Sequence, residues 1–107
     1  MNSILQGTTP SLKLLVDKTD LDLSDVIGVE LTFSHKNVKT IHAMEDVVVD
    51  TTENSITYAF TEQETLALSP SHIFVYQLRL KTSDGNIVGT EKENISISNL
   101  LSTEVMA

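Results

Sequence analysis

The chain has 107 residues, 15 acidic against 7 basic side chains, a net charge of −8, and no cysteine or tryptophan. That length fits one domain with one core. The missing cysteines exclude a disulfide framework, a thiolate metal site and a cysteine nucleophile. The acidic balance argues against nucleic acid and anionic membranes, since both are held by Lys and Arg.

The first residues carry no basic region and no long apolar run, so they read as neither signal peptide nor membrane span. The expectation is a protein that is cytosolic when made and not secreted by a signal peptide. Residues 1–9 are assigned to an N-terminal arm, because they hold too little apolar surface to offset their own ordering cost. Within this arm Ile4 and Leu5 are an apolar pair, and Thr8 and Thr9 before Pro10 favour extended backbone. These four residues are candidates for docking to a partner.

Alternation of apolar and polar residues then dominates. Leu12, Leu14 and Val16 share one face of a first strand. An acidic connection follows, with Asp17, Asp20, Asp22 and Asp25; it lacks the order of a calcium loop and reads as solvated carboxylates. Ile27, Val29, Leu31 and Phe33 form the inner face of the next strand. Residues 38–43 and 46–49 are weaker strand candidates. Ile56, Tyr58 and Phe60 alternate inward again.

Thr61-Glu62-Gln63-Glu64 has the form of a capping box, and Pro70 stops any long helix, so a single helical turn is predicted there. The longest strand spans residues 73–82, with Phe74, Tyr76, Leu78 and Leu80 on its inner face. Asp84-Gly85 is a turn pair, returning the chain through residues 87–90. A last strand over residues 94–100 places Ile95 and Ile97 inward. About seven short strands with one helical turn describe an all-β, immunoglobulin-like β-sandwich over residues 10–101, followed by a tail at 102–107. Its core should include Leu31, Phe33, Tyr58, Phe60, Phe74, Leu78 and Leu80.

No chemistry-bearing constellation is visible. His35, His42 and His72 lack a second ligand at metal spacing. No nucleophile motif occurs, and four glycines do not form a phosphate loop. The chain is therefore read as a non-enzyme with no cofactor, no metal and no small-molecule substrate. Sugar sites usually use exposed aromatics, and Phe33, Tyr58, Phe60, Phe74 and Tyr76 are all assigned to the core.

Four phrases in order carry a resemblance: Gly7-Thr8-Thr9-Pro10, the run from Leu21 to Phe33, Phe60-Thr61-Glu62-Gln63-Glu64-Thr65-Leu66-Ala67-Leu68, and the run from Val75 through Asp84-Gly85. Across residues 7–100 the chain resembles small structural proteins of phages of Gram-positive hosts. It is similar to the N-terminal domain of phage baseplate upper proteins. The glycine usual before the long strand is replaced by Ser69-Pro70-Ser71-His72. The resemblance implies an immunoglobulin-like virion protein of the tail or baseplate. Its partners would be other virion proteins or copies of itself, and it implies no catalytic residues. The alternatives are a capsid decoration or head-fibre protein and, more distantly, a host-surface or carbohydrate-binding module. At the far end Leu101, Val105 and Met106 join the docking candidates, as apolar residues beyond the sandwich.

Overall fold

A computed structural model describes residues 3–99. Among these, nine strands build two facing sheets. They are β1 (Ser3–Leu5), β2 (Ser11–Leu15), β3 (Val26–His35), β4 (Val38–His42), β5 (Val48–Asp50), β6 (Ser55–Ala59), β7 (Phe74–Thr82), β8 (Ile87–Gly89) and β9 (Glu93–Ser98). One sheet runs β1-β9-β7-β3-β4, with β8 also on β7; the other runs β2-β6-β5. Chain order and sheet order together match strands B, E and D facing G, F, C and C′ of an immunoglobulin domain. Here β8 and β9 are the two halves of G, and β1 lies parallel to β9.

The core fills the space between the sheets. Leu31, Phe33, Tyr58, Phe60, Phe74, Leu78 and Leu80 are all buried, as their alternation predicts. Ile56, Ile95 and Ile97 join them from the inner faces of β6 and β9. Four rings meet at one point: Phe33 lies 4.8 Å from Phe74, 5.0 Å from Tyr58 and 5.5 Å from Phe60, centroid to centroid. The Phe74 contact is tilted, the Tyr58 contact edge-on and the Phe60 contact stacked, and such pairs add to plain area burial because ring edges and faces carry opposite partial charge.

Two interruptions of the ladder change what alternation alone predicts. The β3–β7 register shifts between Val26 and Gly28. This bulge adds one residue and reverses the phase of the strand before it. Val26 is therefore the buried residue, and Ile27, expected inside, is 57% exposed. The second break divides strand G: Arg79 pairs with Gly89, but Tyr76 pairs with Glu93, a slip of one residue. Thr90 bridges the break. Its backbone N–H donates to the Leu78 carbonyl at 2.9 Å, and its hydroxyl accepts the Leu78 N–H at 3.0 Å.

The boundary expected at residue 9 does not hold. Ser3–Leu5 is a strand, in register with Ser96–Ser98, and Ile4 is fully buried. Gln6 continues the attachment: its N–H donates to the Ser98 carbonyl and its side-chain Nε2 to the Leu68 carbonyl at 2.7 Å. The ordering cost of this short segment is offset by a shared ladder and by burying one whole isoleucine, about 1.5–3 kcal/mol. The segment's own composition does not reveal either contribution.

The one α-helix among the described residues, α1 (Glu62–Leu66), forms the corner between β6 and β7. Its capping box is made as its sequence predicts: the Thr61 hydroxyl accepts the Glu64 N–H, and a Glu64 carboxylate oxygen accepts the Thr61 N–H at 2.9 Å. The other Glu64 oxygen accepts the Tyr58 hydroxyl at 2.5 Å. The corner is thus tied down by a tyrosine of β6. At the opposite end, buried Asn54 holds the acidic connection. Its Oδ1 accepts the Leu23 N–H, and its Nδ2 donates to the Val16 and Leu21 carbonyls. Asn54 adopts φ 61°, a left-handed conformation that Asn tolerates better than most residues.

Candidate functional site

The residues singled out as docking candidates separate in the structure. Ile4 is a core residue and cannot meet a partner. Leu5, its neighbour on the opposite face, is 42% exposed. Thr8 is half-buried and stitched to the corner: its carbonyl accepts the Thr65 hydroxyl at 2.7 Å, and its own hydroxyl donates to the Leu5 carbonyl. Thr9 is exposed. Leu101, Val105 and Met106 lie outside the described residues. Leu5 and Thr9 therefore remain as the accessible members of the N-terminal set.

A more coherent surface occurs along one long side, where the two sheets end in β4 and β5. Both are edge strands, with one flank of backbone groups left without a strand partner among the described residues. Val38 and Ile41 on β4 and Val48 on β5 are 63%, 64% and 67% exposed. The β3–β4 hairpin closes through Lys36 and Asn37, with φ of 54° and 64°. Two successive positive φ values characterise the tight hairpin turn whose twist matches that of the strands. The turn places Lys36 at the tip, and Lys39 follows on the edge.

β4 pairs with the second half of β3, whereas β5 leads into the 51–54 turn that ends at Asn54, at the other end of the sandwich. The three-stranded sheet therefore has no edge strand opposite β4. That leaves an open apolar cavity of about 410 Å³ between β4 and the helix corner. Phe33, Val38, Phe60, Leu68 and Phe74 line it, with His35, Lys36 and Glu64 among its polar members. Burial opposes ionisation of Glu64, but the bonds it accepts from Tyr58 and Thr61 outweigh this and hold its carboxyl below the usual range. Burial, then the bond to Glu64, pushes the Tyr58 hydroxyl well above its ordinary value. The pair is a hydrogen-bonded strut in which the carboxylate is ionised and the phenol neutral.

His35 is the titratable group whose state matters most here. Its Nε2 accepts the Ser69 N–H at 2.9 Å, so that nitrogen carries no proton. Its Nδ1 is buried without a well-formed hydrogen bond, although the Ile73 backbone favours the charged ring. Burial outweighs that help, and His72 and Lys36 add repulsion, so the pKa is held below 6.5. A histidine that resists protonation when folded costs stability once the unfolded chain begins to bind its proton. Stability should therefore be full above pH 6.5 and fall as pH drops below it, towards the folded pKa. Melting temperatures from pH 7.5 to 5 should show this step, and His35→Gln should remove it. Equal slopes for the two proteins would show that His35 is not the cause.

The acidic connection forms a depression lined by Asp20, Asp22, Asp25 and Asp84. Two of these carboxylates are engaged locally. Asp22 accepts the Ser24 N–H and hydroxyl, and Asp84 accepts the Thr82 hydroxyl and the Asn86 N–H. No group of three or more metal-ligating side chains converges among the described residues. No protein-family model matches the chain, and no curated protein matches it in sequence.

Proposed function

We propose that the protein is a non-enzymatic structural or adaptor component of a phage particle, most naturally of its tail or baseplate, working through protein–protein contacts. The observation that carries the contact role is the β4–β5 side: two edge strands, each with exposed apolar residues, beside an open apolar cavity. Exposed edges of this kind recruit strands or side chains from neighbours. The phage setting rests on the resemblance across residues 7–100. A sugar-binding role is less well supported, because Phe33, Tyr58, Phe60 and Phe74 are buried in the core.

The test is to image purified particles labelled with a gold-conjugated antibody against this protein. Label at the tail tip is the expected result. Label over the shell would instead favour a capsid decoration protein. Particles free of label, from cells that make the protein, would overturn the virion reading.

A further inference from the structure

We infer that the β4–β5 side is the interface of a two-fold dimer, with a second copy of this chain as its occupant. The inference rests on the reading of that side as a contact surface and names what it contacts. Along the side, the sequence runs from a basic half to an acidic half. Lys36 and Lys39 stand on the hairpin and β4; Glu45, Asp46 and Asp50 follow towards and on β5. Apolar residues punctuate both halves: Val38 and Ile41 in the first, Val48 in the second.

Both strands run in the same direction along the side, from the β3–β4 hairpin end towards the Asn54 end. A two-fold axis through the middle of the side inverts a second copy. The inverted copy sets β4 antiparallel to the partner β5, basic half against acidic half, twice over. Lys39 and Ile41, on the outer face of β4, would then share a face with the partner copy's Val48 and Asp50, on the outer face of β5, and the lysines would approach carboxylates. A closed pair of this kind uses one surface patch on both subunits, as two-fold dimers do. It would also pair both exposed strand edges at once and bring a second copy's apolar edge beside the open cavity.

Local turns use one oxygen of each of two acids: Asp46 accepts the Ala43 N–H, and Asp50 accepts the Thr52 and Glu53 N–H groups, which leaves their charge in place at the edge. The ion pairs Lys13–Glu53 and Arg79–Glu30 lie elsewhere, and neither Lys36 nor Lys39 forms one with a described residue. An edge lysine by itself is an ordinary guard against indiscriminate strand pairing. Glu45 and Asp46 on the turn before β5, and Asp50 at its end, convert that guard into selectivity, since an acidic edge attracts the lysines and a basic one repels them.

The test is sedimentation of the full chain across a concentration series, in low and high salt. Wild type should associate reversibly into a dimer, less tightly in high salt. Lys39→Glu should weaken the dimer by roughly tenfold or more, and adding Glu45→Lys should restore much of that loss. Ile41→Glu should abolish dimerisation while leaving the circular-dichroism spectrum and melting cooperativity of the monomer intact. Wild type that stays monomeric at high concentration would overturn the inference. So would a dimer indifferent to all three variants. Neither result bears on whether the protein is found in particles, so the two ideas fail separately.

Discussion

Phe33→Ala should lower folding stability by about 3–5 kcal/mol, the range for removing a buried aromatic ring from a packed core. Phe33 is the ring at which the two sheets meet. Besides Tyr58, Phe60 and Phe74, it touches His42 at 4.9 Å. Truncation removes all four contacts together and leaves a void beside the already open cavity under β4. A domain of this size commonly has only about 5–15 kcal/mol in total, so the variant would lose a large share. In urea, the unfolding midpoint should drop with little change in slope, because the same surface is exposed on unfolding. A loss below about 1 kcal/mol would mean that the rings do not join the sheets as described.

Ile4→Ala should cost about 2–5 kcal/mol, whereas Leu5→Ala should cost less than about 0.5 kcal/mol, as surface changes usually do. The two residues are adjacent, and they differ because parallel pairing with β9 turns one inward and the other outward. Deleting residues 1–7 should cost still more. It removes Ile4, the Gln6–Ser98 bond and the side-chain bond to the Leu68 carbonyl, which loses that donor. Matched urea titrations of the three variants separate a core strand from a free arm. Equal, small effects for Ile4 and Leu5 would return the segment to the status of an arm.

What was legible in the sequence was whatever depends on neighbours along the chain. The inner faces of β6, β7 and β9 follow from period-2 alternation, and the helix corner from four residues of capping chemistry. The Asp84-Gly85 turn follows from a dipeptide, and Gly85 takes the expected positive φ of 90°. What was not legible depends on partners far away in sequence. Three residues of β1 are too few to show a period, and their stability comes from β9. The bulge at Ile27 leaves alternation unbroken in sequence while reversing it in space. Asn54 looks like one more turn residue until Leu23, Val16 and Leu21 are brought around it. The corner hydroxyl comes from Tyr58, six residues before its acceptor Glu64, because β6 and α1 fold back on each other.

The candidate surface was hidden for the same reason. Residues 38–43 and 46–49 were recognisable as weak strands, but their place at the sheet edges is a property of the topology. Only that placement leaves Val38 at the mouth of the cavity and Ile41 and Val48 exposed on the outer faces of the two edge strands, and gives Lys36, Lys39, Glu45, Asp46 and Asp50 their polarised order along the side. The docking candidates at the chain ends rest on local properties: apolar content for Ile4, Leu5, Leu101, Val105 and Met106, and extended backbone for Thr8 and Thr9. The structure moves Ile4 inside and leaves Leu5 accessible.

The most direct measurement is the copy number of this protein in purified, salt-washed phage particles, by quantitative mass spectrometry, for wild type and for the double variant Val38→Glu/Ile41→Glu. Both substituted positions are exposed on the edge strand β4, so the variant should fold, which its melting curve would verify. The expected result is a fixed number of wild-type copies per particle and near-complete loss of the folded variant. Wild type missing from the particles, or a folded variant incorporated at the wild-type number, would contradict a role built on the β4–β5 side.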